Sequence, residues 1–215
     1  MKESSHNAIY YLPDLEDDLD GLIGSELSFR GYYVLGRELT NRSGSPSSFF
    51  RNLTFDHQVN SICRDLQNYS WSEQSLVLAH AFGAYLFLHA VLRLGKIPSN
   101  CLLISPIVSN AELNGAHPTL PQEECLLSAI NAKSFPPIRL DIVIGQEDTE
   151  APVGTYKKLI NSSNGTISLL KDEGLNLTPS GVKKALSIWL PEVRKIAWSD
   201  PGGLNRQVEL IQHWP

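Results

Sequence analysis

Apolar residues in this chain fall into short runs separated by longer amphipathic stretches, and the two alternate almost from end to end. Ala8 to Leu12 (AIYYL) is a compact β-rich run ended by Pro13, and Tyr32 to Leu35 (YYVL) is the next. Between them, an amphipathic segment from about Leu19 to Arg30, closed by Gly31, reads as a helix. From Phe55 to Tyr69, Val59, Ile62, Cys63 and Leu66 stand at the spacing of one helix face. Ser75 to Ala79 and Cys101 to Val108 (CLLISPIV) are continuous apolar runs, which suit parallel strands covered on both faces. Leu140 to Ile144 and Thr166 to Leu170 add two strands, and Gln122 to Asn131, Pro152 to Ile160 and Pro179 to Trp198 add helices. Such alternation predicts an α/β fold around an open, mostly parallel sheet.

The stretch Ser75 to Leu94 (SLVLAHAFGAYLFLHAVLRL) organises the rest. A buried strand must turn sharply through His80-Ala81-Phe82-Gly83 into a helix, apolar on most faces, from Ala84 to Leu94. The G-x-S-x-G nucleophile elbow uses this arrangement to hold a serine above the end of a sheet. Ala79 and Gly83 are the small residues that the close passage of strand and helix backbones requires, but the tip is Ala81.

At 215 residues, with about two-fifths of the chain hydrophobic, the length suits one well-buried domain, expected over residues 1–198, with 199–215 as a tail. The net charge of -5, with acids and bases interspersed, provides no basic field for nucleic acid or an anionic membrane. No apolar run reaches the length of about 20 residues that spans a membrane, and the N-terminal stretch lacks the apolar core of a signal peptide. A cytoplasmic protein is expected. Cys63, Cys101 and Cys125 are odd in number and lack C-x-x-C spacing, so they read as reduced thiols rather than disulfides or a zinc site.

The elbow residues Ala81-Phe82-Gly83-Ala84-Tyr85-Leu86, followed by Leu88-His89-Ala90, resemble the α/β-hydrolase superfamily. The likeness is closest to its small lidless bacterial serine hydrolases, whose elbow reads S-F-G-A-Y-L, and it extends roughly from Ala8 to Trp189. It implies a three-layer sandwich with little or no lid. It also implies a triad in the chain order nucleophile, acid, base, each at the carboxyl end of a strand. Gly145 to Pro152 looks like the family's G-x-x-D-x-x-x-P turn, so Asp148 matches the acid. The base should follow the last strand, where Leu175 stands. Neither the attacking hydroxyl nor the proton acceptor is therefore present.

The family's oxyanion hole uses backbone N–H groups, here that of Phe82 and one from the loop Pro13 to Asp17, with Pro13 and Asp14 as the candidates. That loop departs from the H-G-type motif of many members, and acidic side chains pointing inward would disfavour an oxyanion. Leu12, Pro13, Phe82, Tyr85, Ile107 and the 110–136 connection should line a mostly apolar pocket for a small acyl or ester-like ligand. No cofactor is implied.

Other groups read as structural. Ser105 before Pro106 suits a strand end, His80 suits packing beside the tip, and His89 suits a satisfied core histidine. His6, His57, His117 and His213 have no partner pattern, so no metal cluster is defined. Three readings follow. One is a pseudohydrolase that binds a small-molecule ligand. Another is a small esterase or thioesterase present as an inactivated variant. The last is non-hydrolytic lyase or cyclase chemistry using Asp148 as acid or base.

Overall fold

The structure is a computed structural model that describes residues 8–15, 17–37, 39, 55–68, 76–97, 100–109, 120–148, 153–163, 165–190 and, by backbone pairing, 208–210. The expected Ser- and Gly-rich loop 40–48, the 110–119 part of the connection and the boundary at 198 lie outside these residues. Among the described residues, seven strands form one sheet: β1 (Ala8–Leu12), β2 (Tyr33–Gly36), β3 (Leu76–His80), β4 (Asn100–Ile104), β5 (Arg139–Gly145), β6 (Ile167–Leu170) and β7 (Val208–Leu210). Their order is β6-β5-β4-β3-β1-β2-β7, and every pairing is parallel. The helices are α1 (Leu22–Phe29), α2 (Phe55–Asn68), α3 (Ala81–Leu94), α4 (Glu123–Asn131), α5 (Val153–Asn161) and α6 (Pro179–Trp189).

Side chains alternate across the strands with a period of two, which divides the core into two layers. Tyr10, Leu12, Val77, Ala79, Cys101 and Leu103 face the layer filled by α2, α3, α4 and α5. Ile9, Tyr11, Leu78, Leu102 and Ile104 face the layer filled by Leu27 of α1 and Leu186 of α6. The central strands are covered on both faces, which is why their sequences are apolar without alternation.

The larger departures from the expected boundaries have local causes. The run Cys101 to Val108 stops being strand at Ile104, because Ser105 turns to φ 42° and Pro106 has no N–H to give to a ladder. Likewise α6 ends at Trp189 rather than Trp198: Leu190, which precedes Pro191, takes the extended conformation (ψ 123°). Within the expected tail, Val208–Leu210 pairs with Val34–Gly36 as an added edge strand, too short to stand out in a hydrophobicity pattern.

The strand order reverses at β1, which has β3 on one side and β2 on the other. Open α/β sheets bind ligands at the carboxyl ends of the strands beside such a switch point. Here that crevice lies between the loop after β1 and the turn after β3.

Candidate functional site at the strand-to-helix elbow

Ala81, the first residue of α3 directly after β3, has φ 44°, in the left-handed region that costs an ordinary residue roughly 1–2 kcal/mol. Two features hold it there. His80 before it is extended (φ -116°, ψ 135°), so the chain reverses direction within one residue. Gly83 after it lies so close to the end of β1 that a Cβ would stand 2.3 Å from the Pro13 oxygen and 2.4 Å from the Leu12 oxygen. Any side chain at position 83 would push α3 off the sheet and open the elbow. Residues 81–91 are buried throughout, so the helix behind the tip is rigidly seated.

Backbone hydrogen bonds continue along the carboxyl edge from the tip. Ile107 N–H donates to the Ala81 oxygen (3.3 Å), Ser105 to Val143 (2.8 Å), Gln146 to Leu170 (2.8 Å) and Glu147 to Glu173 (2.9 Å). The acid turn and the loop at the base position are pressed together: a Cβ on Gly145 would lie 2.3 Å from the Glu173 oxygen. Asp148 follows β5 and is half-buried. Leu175 follows β6 and is 42% exposed, with no titratable atom to offer. With β4 between them, β3 and β5 are about 10 Å apart, a gap that a triad histidine bridges; among the described residues, Leu175 stands where that histidine would be.

The loop carrying Leu175 is ordered by Glu173. Its carboxylate accepts the Thr178 N–H and hydroxyl, both at 2.8 Å, and these bonds hold its pKa below the usual range. Thr178 in turn caps α6 by accepting the Gly181 N–H at 3.1 Å. The region at the base position is thus a stapled loop, not a collapsed one.

The main departure from expectation lies at the oxyanion donors. The Phe82 N–H points out of the first turn of α3 as the sequence leads one to expect, but it donates to Asp14 Oδ1 at 3.1 Å. Pro13 has no N–H to give and turns its carbonyl towards Gly83. Asp14, whose backbone N–H is the expected second donor, brings a side-chain carboxylate oxygen onto the first. Three residues on, Asp17 Oδ2 lies 3.1 Å from His80 Nδ1, and the Asp17 N–H donates to the Asp14 oxygen at 3.2 Å. Both residues flanking the tip are therefore held by aspartates of one loop.

The remaining candidates fall as follows. Leu12 and Tyr85 are fully buried in the larger core layer, Ile107 is nearly so, and the Tyr85 hydroxyl donates to the Pro121 oxygen at 2.6 Å. Burial pushes the Tyr85 phenol well above its ordinary pKa, so it stays protonated. Ser105 is buried beside the tip with a hydroxyl that meets no partner among the described residues. His89, two turns behind the tip, is buried between Phe55 and Tyr85 (ring centroids at 4.9 and 4.7 Å), and its Nε2 also meets none. The sequence reading treats His89 as satisfied; among the described residues its Nε2 meets only apolar and aromatic surroundings.

Solved structures carry the same architecture. A predicted CIB-like hydrolase from Thermoplasma acidophilum superposes with a TM-score of 0.57 at 14% identity, over 87% of this chain and 88% of that one. The esterase domain of a Rhodothermus marinus protein gives 0.56 at 14% identity, over 85% and 83%. An α/β superfamily hydrolase from Oenococcus oeni gives 0.54 at 16% identity, over 86% and 92%. The chain has the α/β-hydrolase fold. No family model and no curated protein matches its sequence. Identities this low establish the α/β-hydrolase architecture and leave the chemistry to the residues at the elbow.

Proposed function

We propose that this α/β-hydrolase-fold protein is a pseudohydrolase, which keeps the scaffold of a serine hydrolase and binds a small acyl or ester-like ligand without cleaving it. The observation that carries this reading is the elbow itself: the tip keeps φ 44° but bears a methyl group, while the donor beside it is occupied by Asp14. Acyl transfer needs a nucleophile, a base to take its proton and free donors where negative charge develops. Ala81 supplies no nucleophile, Leu175 no base, and the Phe82 N–H is already engaged. Asp148 keeps the acid position, but an acid alone supplies neither nucleophile nor base.

A second reading, a hydrolase present as an inactivated variant, is favoured by the undamaged tip. The strained φ at Ala81 and the close seating of Gly83 are what an attacking serine would need. The two readings separate experimentally. The unmodified chain, incubated with short-chain aryl esters and a fluorophosphonate probe, should show no turnover above buffer and no covalent adduct. Turnover by the unmodified chain would end the pseudohydrolase reading. Full recovery of hydrolysis by the double substitution Ala81→Ser, Leu175→His alone would favour the second.

A further inference from the structure

We infer that Asp14 is the residue that sets which ligands the elbow accepts: its carboxylate takes up the Phe82 N–H and bars anionic groups from it, so that an acyl or ester-like ligand is held without its oxygen on that donor. The inference rests on the reading that the elbow is non-catalytic and specifies how it is closed. The Phe82 N–H lies in the first turn of a 14-residue helix, where backbone N–H groups have no intrahelical partner and the helix dipole favours negative charge. A free donor in that place attracts carboxylates and developing oxyanions. Asp14 Oδ1 at 3.1 Å supplies that negative charge from within the chain.

The contact is built into the fold. Asp14 follows β1 by two residues, and β1 is locked in register between β2 and β3. The backbone leading to Asp14 is pressed against Gly83, and the loop beyond it is tied to the other side of the tip through Asp17 and His80. An internal carboxylate held in this way competes with any external one at no cost in translational entropy. A second negative charge brought to the same donor would also meet the Asp14 carboxylate at close range. Ligand groups that donate hydrogen bonds meet an acceptor instead.

The test reads the Phe82 amide directly, using acetate as the probe. In the unmodified chain the amide resonance should stay unmoved as acetate is added. In Asp14→Ala it should move and saturate, with acetate held at least about tenfold more tightly, the factor expected when a charge-assisted hydrogen bond worth roughly 1.5 kcal/mol becomes available. Asp14→Asn, which keeps size and acceptor but removes the charge, guards against loss of fold and should give an intermediate response. An unmodified chain that responds as strongly as Asp14→Ala would overturn the inference. So would folded variants that remain silent. Ester turnover by the unmodified chain is a separate readout and bears on the pseudohydrolase reading alone.

Discussion

β1, which leads into the loop that carries Asp14, joins a largely buried ionic network through Tyr10, and the network gives a quantitative prediction. Arg37, just past β2, places its guanidinium on the Asp65 carboxylate of α2, with Nη2 at 2.7 Å from Oδ1 and Nε on Oδ2. The Tyr10 hydroxyl of β1 donates to Asp65 Oδ2 at 2.7 Å. Burial, then the Asp65 charge, pushes the Tyr10 phenol well above its usual pKa, so it remains a donor. The two ions differ in access to water, with side-chain exposures of 24% for Arg37 and 6% for Asp65. At about 4 Å between charge centres and an effective dielectric of about 20, their attraction is roughly 4 kcal/mol before desolvation. Removing one partner strands the other, and stranding Asp65 is worse. Arg37→Met should cost about 3 kcal/mol, within the range for broken buried pairs. Asp65→Asn should cost about 1–2 kcal/mol, because Arg37 can turn towards solvent and the amide still accepts from Tyr10.

Urea unfolding at neutral pH measures both losses. Equal losses below about 0.5 kcal/mol would show the pair to be an ordinary surface salt bridge and refute the reasoning.

Three further outcomes follow. Burial holds His89 near pKa 4, with Arg93 also lowering it and Asp56 opposing, so its native pKa is depressed below the unfolded value of 6.5. Its contribution should be fully present above pH 6.5 and lost as the pH falls towards 4, by at most about 3 kcal/mol, and thermal melts of the chain beside His89→Leu should show the slope only in the former. Cys125 is exposed, whereas Cys63 and Cys101 are buried and burial raises their thiol pKa. A disulfide reagent should therefore label one thiol in the folded chain and none in Cys125→Ser. Glu173→Gln should speed amide exchange across residues 174–178, and its difference from the unmodified chain should shrink as the pH falls through the native range of Glu173, where the depressed carboxylate loses its contribution.

Much of the architecture was legible because it is written in local periodicity. The strands at Ala8, Leu76 and Ile167 and the helix face of Val59, Ile62 and Leu66 need only neighbouring residues to be recognised. The elbow could be located for the same reason, since Ala79 and Gly83 record how closely two backbones pass. The occupation of the Phe82 donor was not legible: Asp14 lies 68 residues away in sequence, and no pattern fixes the direction in which a single loop side chain points. Nor was the setting of the buried Ser105 hydroxyl, whose conformation depends on a turn that the apolar run CLLISPIV conceals.

The central claim, that the elbow is silent both for want of proton-transfer groups and because Asp14 occupies its donor, is tested most directly by one comparison. Hydrolysis of a short-chain aryl ester is measured for Ala81→Ser, Leu175→His and for the same protein with Asp14→Ala added. The account predicts that the double substitution stays near the buffer rate and that the triple substitution exceeds it by about a hundredfold, the order of effect of one oxyanion donor. A double substitution that already hydrolyses the ester as fast as the triple would contradict it.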